Sequence, residues 1–337
     1  MALTHLTFGP TSRQRKATDA LRVLALSSVI GMLLFPFVLN TQAQEKPKQE
    51  AQNDALASAT VKIAKPAPAL EKKQFPQGRI YVMRVPAQSD YKVLPAVSKT
   101  LVTVKSPIWQ TATIGAAGKK PIFIINGGFF DPSNSLTTSF IFQGGLLTAD
   151  PRINPNLVNN DKLLPYLPKI FNRPEFRLYL CQKPSGSFQT RYDITPRNAA
   201  VPQDCLLQSA LGAGPTLLPQ VEDFSEGFVD YNAAGKVVRD PVGTSALNAR
   251  SAVGITEKGD VLLMMAAQNA SKPNGSGFNM TDLANLLKAR GAVKAMALDG
   301  GSSSGFWHQG QAVFGKFGNN GIPVIRPVKS VLMVVPR

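Results

Sequence analysis

From residue 78 onward the apolar positions fall in short runs separated by turn residues. Arg79-Ile80-Tyr81-Val82-Met83-Arg84-Val85 has strand spacing, and residues 92–97 and 101–104 continue in extended form. Residues 121–125 (Pro-Ile-Phe-Ile-Ile) are apolar throughout and bounded by turn signals, which predicts a strand covered on both faces. Residues 140–142 and 177–181 predict further strands. Residues 252–266 read as a hairpin turning at Lys258-Gly259, 295–298 as a short buried strand, and 328–335 as the closing strand. A short helix is expected at 111–117 and a better one at 280–291. In the latter Thr281 is placed as N-cap, Leu283, Leu286 and Leu287 recur at helical spacing, and Gly291 ends it. Residues 154–174, with four prolines, form an irregular loop suited to covering a site. There is no internal repeat. The pattern predicts an α+β fold: one compact domain over 78–337, with a mixed, strand-rich sheet core, few helices and an active site at strand-end loops.

The first 77 residues read differently. Arg13, Arg15, Lys16 and Arg22 flank an apolar run at 23–39, and Thr41 and Ala43 occupy the −3 and −1 positions of a cleavage site. Residues 1–43 therefore predict a signal peptide, with a retained N-terminal anchor as the alternative, since 17 residues is at the short end for a membrane span. Residues 44–77 predict a disordered linker. Gln, Glu, Lys, Ala and Pro dominate it, no aromatic occurs before Phe75, and so little apolar surface cannot offset ordering entropy. The domain is expected outside the cytoplasm, periplasmic or secreted, and at a membrane only through an uncleaved N-terminal segment.

Charge and residue counts narrow the chemistry. The net charge is +16, and loss of residues 1–43 leaves 33 cationic against 20 anionic side chains, or +13. Such a domain attracts anionic glycans, phosphorylated polymers or lipid headgroups, with simple solubility as the plainer reading. No basic motif interleaved with aromatics supports nucleic acid as a partner. Cys181 and Cys205, an even pair in an oxidising compartment, predict one disulfide. With only His5 and His308 in the chain, a His-rich zinc site is excluded, as is a Ser-His-Asp triad unless His308 is its base. No cofactor is expected, and no metal ligands are assigned. A divalent cation between acidic residues stays open.

The strongest chemical signal is Asp299-Gly300-Gly301-Ser302-Ser303-Ser304 after the buried 295–298 strand. A carboxylate at a strand end can serve as acid, base or sugar acceptor, and the glycines beside it expose successive N–H groups to anionic oxygens. A tight turn capped by Asp299 is the plainer reading. Asn126-Gly127-Gly128-Phe129-Phe130-Asp131 repeats the architecture after the 121–125 strand. Phe129 or Phe130 could stack on a sugar, and Asp131 is either a second carboxylate or a turn residue. If both loops meet, two carboxylates would face one cleft, as glycosidic cleavage generally needs. Arg250 opens the next strand and could grip a phosphate through parallel hydrogen bonds, or form a surface ion pair. Gly212-Ala213-Gly214-Pro215-Thr216 is another glycine-rich turn, without the lysine of a phosphate-binding P-loop.

Taken in order, these motifs resemble the phosphodiester glycosidase family, typified by the lysosomal uncovering enzyme. The likeness covers about residues 78–337 and is most specific over 248–306. It implies an exported hydrolase that cleaves a sugar-1-phosphodiester, releases the sugar and leaves a phosphomonoester, here on exopolysaccharide or envelope glycan. Asp299, Asp131 and Arg250 are the expected catalytic residues, with Arg250 on the phosphate and Asp299 on the sugar or water. Asn126, Gly127, Gly128, Gly214, Thr216, Gly300, Gly301, Ser302 and Ser303 are expected to bind substrate. Two departures stand out. Ser302 replaces a third glycine, and Gln268-Asn269 stands where family members often place Asp-Gly. The lost carboxylate motivates an alternative of another class, a non-catalytic module binding anionic polysaccharide. A glycosidase for which phosphate is dispensable is a third reading.

Overall fold

A computed structural model describes residues 64–110 and 120–337. The expected signal peptide, the first part of the expected linker and the expected 111–117 helix lie outside the described residues. In chain order the strands begin with β1 (Ala69–Phe75), β2 (Gly78–Val85), β3 (Tyr91–Val102), β4 (Phe123–Asn126), β5 (Ile141–Gln143) and β6 (Leu146–Ala149). Two short helices follow, α1 (Pro155–Val158) and α2 (Leu167–Phe171). Then come β7 (Pro174–Gln182), β8 (Phe188–Pro196), β9 (Cys205–Gly212), β10 (Thr216–Leu218), β11 (Asp230–Tyr231) and β12 (Val237–Arg239). The last third holds β13 (Arg250–Thr256), β14 (Val261–Gln268), α3 (Met280–Lys288), β15 (Ala292–Ala297), β16 (Gly305–His308), β17 (Gln311–Phe314) and β18 (Val328–Pro336).

Three main sheets result, ordered β1-β2-β14-β13-β15-β10, β17-β16-β4-β18-β3 and β6-β5-β9-β7-β8, beside the small β11-β12 ribbon. The strand-rich α+β class is as expected. Its ladders among the described residues are all antiparallel, so the site does not sit at the carboxyl ends of parallel strands. Part of the predicted linker is also folded. β1 pairs with β2 from Ala69↔Arg84 to Phe75↔Gly78, although most of its residues are exposed. Backbone pairing orders this edge strand, and its polar composition hides that.

The central core forms where the sheets meet. Tyr81, Met83, Val253, Leu263 and Met265 come from the first, Phe123, Ile125, Leu332 and Val334 from the second, and Ile141, Phe176 and Leu211 from the third. On the other face of the first sheet, Val82, Leu262 and Met264 pack against Leu283 and Leu287 of α3. On the other face of the second, Leu94, Ile124, Val331 and Met333 gather with Trp109. β4, β14 and β18 are therefore apolar on both sides, which explains their unbroken hydrophobic runs. Nine residues are too few for α3 to persist alone, so tertiary burial holds it. Its N-cap is Asn279 rather than Thr281. The Asn279 side chain accepts from the Asp282 N–H at 2.8 Å and the Asp282 carboxylate accepts from the Asn279 N–H at 3.0 Å, a capping box that outcompetes a lone threonine. Cys181 and Cys205, facing each other on β7 and β9, form the expected disulfide.

Candidate active site

Three strand ends from two sheets converge on Asn126, the last residue of β4. Its amide nitrogen donates to the Asp299 carbonyl at 2.6 Å. Its amide oxygen accepts from the Ser251 hydroxyl at 2.7 Å and the Gly305 N–H at 3.2 Å. Backbone bonds complete the knot: Asp299 donates to Gly127 at 2.9 Å, Leu298 to Ser251 at 2.8 Å and Gly301 to Ala249 at 2.8 Å. Asn126 is fully buried and its amide is spent on protein groups, so it positions the Asp299 loop rather than meeting a ligand. Gly127 and Gly128 are likewise required by packing. A Cβ on Gly127 would lie 2.6 Å from the Ser330 hydroxyl, and one on Gly128 2.4 Å from the Gly212 carbonyl.

A cleft of about 420 Å³ opens on the far side of this knot. Asp299, Gly300, Gly301, Ser302 and Arg250 line it, as do both aromatics of the first motif, Phe129 and Phe130. The proline-rich 154–174 segment contributes Leu157, Leu163 and Ile170 to the same wall. It folds as α1, α2 and one short 3-10 turn at Leu164–Tyr166 instead of an irregular loop. Asp299 is the sole carboxylate lining the cleft among the described residues. Burial raises its pKa to about 6, against the opposing pull of the Ser303 hydroxyl, the Arg326 guanidinium and the Gly300 N–H. A carboxyl that changes charge close to neutrality is suited to moving a proton.

Asp131 stays outside. Its carboxylate accepts from the Ser133 N–H at 2.8 Å, the Ser133 hydroxyl at 2.7 Å and the Asn156 amide at 2.8 Å. Burial raises its pKa, but these hydrogen bonds outweigh it and hold the group below its ordinary value. Asp131 is the turn residue, and the expected pair of facing carboxylates does not form. Arg250 does reach the cleft, yet its guanidinium donates to four backbone carbonyls: Phe278 at 3.1 Å, Val242 at 2.8 Å, Gly243 at 2.5 Å and Ala246 at 2.8 Å. Burial lowers its pKa to about 10. With most of its donors engaged, Arg250 shapes the wall more than it offers a clamp.

Gly214 and Thr216 stand behind the cleft. Thr216 donates its N–H at 3.0 Å and its hydroxyl at 2.6 Å to the Glu226 carboxylate, whose pKa burial raises to about 7. Gly214 packs against the ring of Phe228, where a Cβ would come within 2.8 Å. These residues brace Phe228, which lines the cleft. Gln268, which departs from the Asp-Gly expected there, donates to the Pro273 carbonyl at 3.0 Å and accepts from the Phe317 N–H at 3.2 Å, fixing a turn. His308 lies on β16 with Nδ1 2.8 Å from the Ile122 carbonyl and does not line the cleft.

Four cationic residues of the cleft carried no sequence signal: Arg173, Arg239, Lys316 and Arg326. Arg326 donates to the Ser302 hydroxyl at 3.0 Å and stands 5.1 Å over the Phe130 ring. Arg173 stands 3.6 Å over Phe228 and 6.0 Å from the Phe129 centroid, and Arg239 stands 4.5 Å over Tyr166. Cationic walls with aromatic faces suit a ligand that is both anionic and ring-bearing. Among the described residues no three His, Cys, Asp or Glu side chains gather as a metal cluster.

A family model described as phosphodiester glycosidase matches residues 119–335. No curated protein matches significantly. Among solved structures, the fold is similar to the catalytic domain of zebrafish N-acetylglucosamine-1-phosphodiester alpha-N-acetylglucosaminidase, auto-inhibited by its pro-peptide. There the identity is 14%, the TM-score 0.51, and the match covers 80% of this chain and 82% of that one. A Burkholderia pseudomallei protein described as exported gives 15%, 0.51, 77% and 74%. A hypothetical protein from Synechocystis gives 15% and 0.48, and the match covers 80% of this chain but only 62% of that one.

Proposed function

The chain belongs to the phosphodiester glycosidase family, and on that premise we propose that it hydrolyses the bond between a sugar's anomeric carbon and a phosphodiester oxygen. The observation that carries this is one carboxylate, poised near neutrality, in a cleft whose other charged lining residues are all cations and which also presents aromatic rings. Ordinary glycosides need a second carboxylic acid to protonate an alkoxide leaving group. A departing phosphate is stable without that proton. It needs positive charge, which Arg326 beside Asp299 and Lys316 supply. In this reading Asp299 acts as base. It takes a proton from water as the water oxygen bonds to the anomeric carbon, and the bond to the phosphate oxygen breaks with its electrons staying on that oxygen. The products are the free sugar and a phosphomonoester. The partly buried Phe129 offers the sugar a stacking face, while Phe130 is buried beneath Arg326. The setting is an exported one, periplasmic or secreted, with an exopolysaccharide or envelope glycan as substrate.

Asp299→Asn tests the role. Sugar release from a sugar-1-phosphodiester is expected to fall at least about a hundredfold, the low end of general-base contributions. Undiminished turnover would defeat the assignment. The glycan-binding alternative draws support from Gln268, whose side chain serves a turn where the family often has a carboxylate. It predicts anionic-glycan binding without hydrolysis at any pH.

A further inference from the structure

The cleft carries more positive charge than one phosphodiester can neutralise. Five cations line it against one carboxylate. No cleft cation forms a salt bridge among the described residues, although ion pairs such as Arg84–Asp260, Arg177–Glu175 and Arg290–Glu71 occur elsewhere. Arg250 is absorbed by backbone carbonyls, and Arg326 and Lys316 suffice for a single negative charge at Asp299. Arg173 and Arg239 remain.

Their arrangement is that of a receptor. Both donate to the Gly227 carbonyl, Arg239 through Nε at 3.0 Å and Arg173 through Nη2 at 3.4 Å. Arg173 adds a 3.2 Å bond to the Glu226 carbonyl. Among the described residues neither hydrogen-bonds a carboxylate, although that of Glu226 attracts Arg173. The Glu226 carboxylate is held by Thr216, and Asp230, which attracts Arg239, is engaged by the Tyr166 hydroxyl at 2.6 Å and the Tyr231 N–H at 2.9 Å. Two guanidinium groups crowded around one carbonyl repel each other, and Arg173 is desolvated as well. An anion spanning them would relieve both costs.

Resting on the reading above, we propose that Arg173 and Arg239 form a second anion subsite, so that the substrate is a glycan bearing a further phosphate or carboxylate beside the scissile phosphodiester. The Phe129–Phe228 pair, 5.7 Å between centroids, supports Arg173 at this subsite.

Matched sugar-1-phosphodiesters test it, one with a methyl acceptor and two with an acceptor sugar carrying either a phosphate or a carboxylate. The wild-type protein is expected to prefer a doubly charged substrate by at least about tenfold in kcat/KM, the size of one charge-assisted contact. Arg173→Gln and Arg239→Gln, each checked for an unchanged melting temperature, are expected to erase most of that preference through KM. A wild-type preference under about threefold, or variants that keep it, would overturn the subsite. The phosphate and carboxylate arms tell which anion fits. Calorimetry with non-hydrolysable phosphonate analogues of the same three substrates reads the preference without turnover. Preference there with no hydrolysis would sink the catalytic reading and leave the subsite standing, whereas turnover without preference does the reverse.

Discussion

Asp299 is held at a cost to the fold. Its pKa in the folded chain, about 6, lies above its ordinary value of 3.8. Folding therefore favours the protonated form, and stability is lost as pH rises from about 4 through 6. Asp299→Asn removes this penalty. The variant is expected to be more stable than wild type at pH 8 by on the order of 3 kcal/mol and nearly equal at pH 4, read from unfolding curves at both. Catalysis should run the opposite way. As a base Asp299 must be ionised, so kcat/KM is expected to rise with pH with a midpoint near 6. Arg326→Gln should move that midpoint upward, since its guanidinium opposes protonation. A midpoint that ignores Arg326 would separate the two groups.

At the scale of elements, the strand-end loops are cross-braced by one amide. Asn126→Ala leaves the Ser251 hydroxyl, the Gly305 N–H and the Asp299 carbonyl without their partner in a buried place. A loss of about 3 kcal/mol or more is expected, and kcat should fall even in the folded fraction because Asp299 loses its registration. Asn279→Ala, which removes the α3 cap, should cost only about 1 kcal/mol and leave kcat unchanged. The elements themselves were readable. The runs at 121–125 and 328–335 predicted β4 and β18 because burial on both faces leaves a dense apolar signature. β1 was not readable, since an exposed edge strand is ordered by pairing that its polar residues do not advertise. The two Gly-Gly turns pointed to where loops meet. The local pattern could not distinguish Asn126, which braces, from Asp299, which faces the cleft, and it gave Asp131 a role that its own turn absorbs. Arg173, Arg239, Lys316 and Arg326 reach the site from distant, unpatterned stretches, so only tertiary structure gathers them.

Over the molecule as a whole, the β5–β9 sheet stands on a buried charge cluster and a covalent tie. Glu175 accepts from Arg177 at 2.9 Å and from Arg197 at 2.6 Å inside the protein. Glu175→Gln leaves an uncompensated guanidinium there and is expected to destabilise by several kcal/mol, measured by denaturant titration. Reducing Cys181–Cys205, 24 residues apart, should cost about 3 kcal/mol through the freed chain. Neither residue lines the cleft, so activity should persist while the fold survives.

The crowd of cations around one carboxylate reaches past capture to release. Cleavage converts a singly charged diester into a monoester that carries up to two charges near neutral pH. The walls then grip what has been made more tightly than what arrived. Departure of the phosphorylated end is expected to set the pace at saturation. Added salt should quicken the maximal rate while weakening uptake from dilute solution, and free phosphate should compete.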